Sequence, residues 1–105
     1  MEFIETEGFT KAVREIKAEE SLRKLQLELV ANPLKGALLQ RTGGFRKVRM
    51  ALPNRGKSSS ARVIYLYLPL NPTIIFAALY LKKDRDTLSH EQEKQLQGIA
   101  KQFKS

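Results

Sequence analysis

Residues 63–81 carry no charged side chain, nineteen positions bracketed by Arg62 and Lys82. A stretch of that length either spans a bilayer as one helix or is buried in pieces inside a protein core. Its centre, Leu68-Pro69-Leu70-Asn71-Pro72-Thr73, argues against the helix. Two prolines would interrupt it and leave backbone groups unpaired in hydrocarbon. On either side lie runs of about eight residues rich in Val, Ile, Tyr and Phe, the length and composition of buried strands. The expectation is two central strands joined by a turn, with no membrane span, and the rest of the chain arranged around that hairpin.

Residues 2–4 read as a short strand. Phe9, Ala12, Val13 and Ile16 then recur at helical spacing. A second helix is expected from about Ser21, with Leu22, Leu25, Leu29 and Val30 as its apolar stripe, and Asn32-Pro33 ends it because proline disfavours helical geometry in the residue before it. The short Ala18-Glu19-Glu20 connection suggests an antiparallel helix pair. Thr42-Gly43-Gly44 is a turn or bulge signal leading into Phe45-Arg46-Lys47-Val48-Arg49-Met50, where alternation places Lys47 and Arg49 on the face away from the core. Asn54-Arg55-Gly56-Lys57-Ser58-Ser59-Ser60 reads as a polar hairpin loop. Ser89-His90-Glu91-Gln92 fits a capping box, and Leu96, Ile99, Ala100 and Phe103 form the stripe of a last helix. The order implies one α+β domain over residues 1–105: an antiparallel sheet, two N-terminal helices packed on one side, and a C-terminal helix gathered on the same side.

Composition adds one decisive asymmetry. Residues 1–30 hold seven acids and five bases, whereas residues 31–62 hold eight bases and no acid, so the middle third accounts for the whole net charge of +8. Clustering of that kind makes a face for a polyanion, nucleic acid ahead of anionic lipid. The chain has no cysteine and a single histidine, which leaves neither disulfides nor the ligands of a typical zinc or iron site. Its acidic start lacks the apolar core of a secretion signal, so the cytoplasm is the expected compartment.

Ala51-Leu52-Pro53-Asn54-Arg55-Gly56-Lys57-Ser58 matches a relaxed phosphate-loop pattern. A working loop needs a helix after it and a later magnesium-binding aspartate. The residues that follow, Ala61-Arg62-Val63-Ile64-Tyr65, read as a strand, and no acid occurs between the match and Asp84. The match is attributed to chance.

The order of elements, with Thr42-Gly43-Gly44-Phe45-Arg46-Lys47-Val48-Arg49, Ala61-Arg62-Val63-Ile64-Tyr65, and Tyr80-Leu81-Lys82-Lys83-Asp84 followed by Leu88-Ser89, resembles the RelE/HigB superfamily of bacterial toxins, most closely the HigB-like branch. The resemblance implies a microbial-RNase-type fold and a toxin that cuts messenger RNA in the ribosomal decoding site without a metal or other cofactor. The ribose 2′-hydroxyl attacks the adjacent phosphate, leaving a 2′,3′-cyclic phosphate and a 5′-hydroxyl. Such a site needs a base, cations for the phosphorane and an acid for the leaving oxygen. Crowded cations can lower a lysine pKa enough for it to serve as base.

Carried over by position, the resemblance makes Lys47 and Arg49 a basic pair on one strand and Arg62 a phosphate clamp. It puts Lys83 at a further catalytic position, with Lys82 beside it. Arg46, Arg55, Lys57 and Arg85 would grip RNA and ribosome, and Tyr80 would contact RNA. The tyrosine found beyond the last strand in the best-known relatives is absent, the segment reading Thr87-Leu88-Ser89-His90. His90 is the candidate substitute, against the simpler account of a solvent-facing histidine in a first helical turn. The resemblance further implies a cognate, DNA-binding antitoxin and a monomeric free toxin. Two other readings compete: a non-catalytic RNA- or ribosome-binding relative, and an accessory protein acting through protein contacts.

Overall fold

The structure is a computed structural model and describes residues 1–53, 60–81 and 88–104. In chain order the elements are β1 (Glu2–Glu5), α1 (Glu7–Glu15), α2 (Glu19–Ala31), β2 (Ala37–Leu38), β3 (Arg46–Ala51), β4 (Ser60–Leu68), β5 (Thr73–Leu81) and α3 (His90–Lys104). The uncharged stretch is indeed two strands, β4 and β5, joined by the proline turn. No helix among the described residues is long and apolar enough to cross a membrane.

The strands form one sheet in the order β1-β5-β4-β3-β2. All neighbours are antiparallel except β1, which runs parallel to β5 along the edge. The sheet is therefore mixed, a pairing that strand patterns alone do not specify.

β4 is apolar on both faces and needs cover on both. Val63 and Tyr65 point to the side of α1 and α2, where they join Phe9, Val13, Leu22, Leu25, Leu29, Val48 and Phe76. Ile64 and Leu66 point the other way, to Phe45, Ile75, Leu96 and Ala100. So α3 lies across the sheet from the other two helices rather than beside them. Val30 and Phe103, expected in core stripes, are exposed. They sit in the last turns of α2 and α3, Val30 directly after the fully buried Leu29 and so on the neighbouring, outward side of its helix.

One irregularity in β5 matters for function. Ile64 is paired with Ala78 but Tyr65 with Phe76, which leaves Ala77 without an opposite residue. An extra residue reverses the side-chain alternation beyond it. Ile74 and Phe76 face α1 and α2; past the bulge, Ala78 and Tyr80 face α3 instead. Thr6 pins this point. It caps α1 by accepting from the Phe9 amide at 3.2 Å, and its hydroxyl donates to the Ala77 carbonyl at 3.0 Å.

The turn from α2 into β2 hangs on Tyr65. The fully buried phenol donates to the Pro33 carbonyl at 2.8 Å and accepts from the Gly36 amide at 2.9 Å. Gly36 itself lies so close to the sheet that a Cβ would stand 2.9 Å from the Lys47 carbonyl oxygen and from the Tyr65 ring. Tyr65→Phe leaves two polar groups without their partner and should cost about 1–3 kcal/mol, read from the midpoint of a urea titration. Desolvation raises the phenol pKa above its ordinary 10.0, against smaller lowering effects from the Gly36 bond and from Arg46 and Lys35. This contribution is complete below pH ~10 and is lost as pH climbs through the raised value.

Candidate RNA-binding face

On β3 the side chains of Lys47 and Arg49 share the α3 side of the sheet, as the alternation predicts. Arg49 lies directly opposite Arg62 of β4, and Arg62 directly opposite Tyr80 of β5. The result is a row of two guanidinium groups and a phenol across three strands, with neighbouring strands about 4.8 Å apart. Lys47 sits two residues along β3, opposite Ile64. The Arg62 guanidinium donates to the hydroxyl of buried Ser60 at 3.0 Å, which fixes its direction. Among the described residues no carboxylate pairs with Arg49 or Arg62.

Like charges placed directly opposite on adjacent strands destabilise a sheet. Arg49→Thr, a substitution that also favours strand geometry, should therefore raise stability by roughly 0.2–1 kcal/mol. A urea midpoint that falls instead would mean that Arg49 is held by attraction.

Beside the row opens a cleft of ≈ 270 Å³. Leu39, Leu88 and Tyr80 supply its apolar lining, Lys47 one polar side, and Arg41 and Glu93 another. Arg41 and Glu93 were not singled out as site residues from the sequence. Glu93 in a first helical turn reads there as an acid favoured by the helix dipole. In the fold its side chain is only 12% exposed, and both its oxygens face Arg41, Oε1 at 3.3 Å from Nε and Oε2 at 3.5 Å from Nη2. Arg41 adopts a left-handed backbone with φ 61°, a conformation that costs a non-glycine residue about 1 kcal/mol or more.

The other sequence candidates separate. Arg46 points to the opposite face, where its guanidinium donates to the Gly36 carbonyl at 2.8 Å and braces the turn below the sheet. His90 is 93% exposed in the first turn of α3, its Nδ1 3.4 Å from Glu93 Oε1. Ser89 and Gln92 form the expected reciprocal cap at 3.1 and 2.9 Å. Arg55, Lys57, Lys82, Lys83 and Arg85 lie outside the described residues. The phosphate-loop match spans the connection between antiparallel β3 and β4, so the element after it is a strand and not the helix such a loop requires. No group of three or more candidate metal ligands occurs among the described residues.

An arginine row beside a partly apolar cleft is suited to a phosphodiester with a base attached. The family model for the RelE toxin of the RelE/RelB toxin–antitoxin system matches residues 2–105. The chain belongs to the RelE toxin family. Membership accounts for the element order, with two helices after the first strand and a C-terminal helix after the last. It also implies a cognate antitoxin.

Proposed function

We propose that this RelE-family protein is an endoribonuclease that cuts messenger RNA in the ribosomal decoding site, without a metal ion. The observation that carries the reading is the convergence of Lys47, Arg49 and Arg62 on one sheet face, with two of the three lacking any described counter-charge. A phosphorane gains charge on its non-bridging oxygens, and fixed cationic donors there lower the barrier more than they favour the ground state. In this scheme Arg62, oriented by Ser60, and Arg49 hold the scissile phosphate. Lys47 lies beside it as a proton carrier for the attacking 2′-hydroxyl. Lys83 completes the cationic set, with His90 at its rim; Arg55, Lys57, Lys82 and Arg85 extend the grip on RNA and ribosome. The 2′-oxygen forms the new P–O bond, the P–O5′ bond breaks, and the departing 5′-oxygen takes up a proton. The HigB-like affinity, a single domain over residues 1–105, a monomeric free toxin in the cytoplasm and a DNA-binding antitoxin belong to the same reading.

The test is induction of the protein in bacteria with messenger 5′ ends mapped at nucleotide resolution, alongside Lys47→Ala. New 5′-hydroxyl ends in phase with translated codons, accompanied by growth arrest and lost in the variant, are expected. Salt-sensitive ribosome or RNA binding with unchanged messenger ends would instead identify a binding module that does not cleave.

A further inference from the structure

Thr6 stands at the start of α1, the helix across the sheet from the arginine row, yet it bears on how that row is completed. Every polar group of this residue is engaged. Its amide donates to the Phe76 carbonyl at 3.0 Å and its carbonyl accepts from the Thr10 amide at 3.0 Å. Its hydroxyl accepts from the Phe9 amide and donates to the Ala77 carbonyl. Consecutive carbonyls of a regular strand point to opposite edges. Those of Phe76 and Ala77 can therefore both meet Thr6 only where β5 is bulged. Up to Phe76 the strand is held, because its ring stacks on Phe9 at 5.0 Å and on Phe3 at 5.8 Å. Beyond it the pairing with β4 has two solutions.

We propose that Thr6 selects the register of β5 past Ala77 and so acts as a positioning residue for Tyr80. The inference rests on the reading of the Arg49–Arg62–Tyr80 row as the RNA-binding face. In the observed register Tyr80 stands opposite Arg62 and Leu79 opposite Val63. Were β5 to run on from the Phe76–Tyr65 pair without a bulge, every later residue would move one place along β4. Leu79 would then face Arg62, and Tyr80 would pair with Ala61 on the side of α1 and α2. The row would hold a leucine where it now holds a phenol. An alanine lies opposite Ile64 in both registers, Ala78 in the bulged one and Ala77 in the other. The side chains at the branch point therefore do not discriminate. Leu79 and Leu81, packed against the α1–α2 core, favour the bulged register. The Thr6–Ala77 bond exists only there, and adds the factor of about ten that a net hydrogen bond supplies.

The test compares Thr6→Asp, Thr6→Ser and deletion of Ala77 in the full chain, by NMR and by titration with a short single-stranded RNA. Aspartate is a favoured helix cap, so Thr6→Asp keeps an acceptor for the Phe9 amide but sets a second oxygen against the Ala77 carbonyl. Cross-strand contacts between Arg62 and Leu79 should grow at the expense of those between Arg62 and Tyr80, the ratio of registers shifting about tenfold. RNA affinity should fall in proportion to the fraction that stays bulged. Thr6→Ser keeps both bonds and should match the unaltered protein. Deleting Ala77 from Thr6→Asp removes the extra residue, so that Tyr80 meets Arg62 by plain alternation, and should restore both the pairing and the affinity. That rescue separates register from damage to α1, and it decides the matter alone should Thr6→Asp not fold. Arg62–Tyr80 contacts undiminished in Thr6→Asp, or absent from the double variant, would overturn the inference. Slipped pairing with RNA affinity unchanged, or with no RNA binding even by the unaltered protein, would keep the pin and remove the RNA-binding reading of the row.

Discussion

Arg62→Ala is expected to slow messenger cleavage on programmed ribosomes by a factor of about 10²–10³ while leaving the fold intact, the effect of deleting one preorganised donor to a developing anion. Arg62 occupies the middle of the Arg49–Arg62–Tyr80 row, and its guanidinium is already directed by Ser60 Oγ at 3.0 Å before any substrate arrives. That preorganisation is what makes the loss large. Arg62→Lys should recover only part of the rate, because an ammonium cannot span two phosphate oxygens as a planar fork does. Thermal unfolding distinguishes this from damage to the sheet: removing one of two opposed arginines relieves repulsion, so the melting temperature should hold or rise. Single-turnover cleavage within a few-fold of the unaltered protein would show that the row does not carry the phosphate.

The parts of this site that follow a strict two-residue alternation were legible in the sequence. Lys47 and Arg49 share a face because β3 is regular, and Arg62 joins them because β3 and β4 pair in register without a bulge. Tyr80 is different. Counted by alternation from Ile74 and Phe76 it belongs in the core beneath α1 and α2, and only the bulge at Ala77 turns it to the cationic face. Nothing in the run Phe76-Ala77-Ala78-Leu79 marks the bulge. Its stabilising partner, Thr6, lies 71 residues away. Arg46 shows the opposite failure. Composition groups it with its basic neighbours, yet its odd or even position on the strand sends it to the buried turn at Gly36. The cleft was illegible for a third reason: Arg41 and Glu93 are 52 positions apart, and their pairing exists only once α3 lies across the sheet. Both faces of β4 being apolar was the one sequence signal for that crossing, and it calls for a helix on each side.

α3 reaches its position through the Thr42-Gly43-Gly44 turn, and Gly43→Ala should disrupt that contact more than any other exposed substitution. Gly43 has φ +83°, and a Cβ there would lie 2.7 Å from the Ala100 Cβ. Two penalties combine: about 1–2 kcal/mol for a left-handed backbone and about 1–3 for overpacking against a helix. A loss of roughly 2–5 kcal/mol is expected in urea. The damage should not stay local. Thr42 holds the turn through its bonds to the Leu39 carbonyl and Phe45 amide, and Gln97 and Lys104 of α3 donate to the Arg41 and Gly43 carbonyls at 2.7 and 2.6 Å. Moving α3 off Gly43 therefore strains the same bonds that seat Arg41 against Glu93. Hydrogen exchange should show α3 opening in Gly43→Ala while the strands β4 and β5, buried on both faces, keep their protection. Uniform loss of protection across strands and helix alike would mean that α3 is not a separable unit, and that the cleft is as rigid as the core of the sheet.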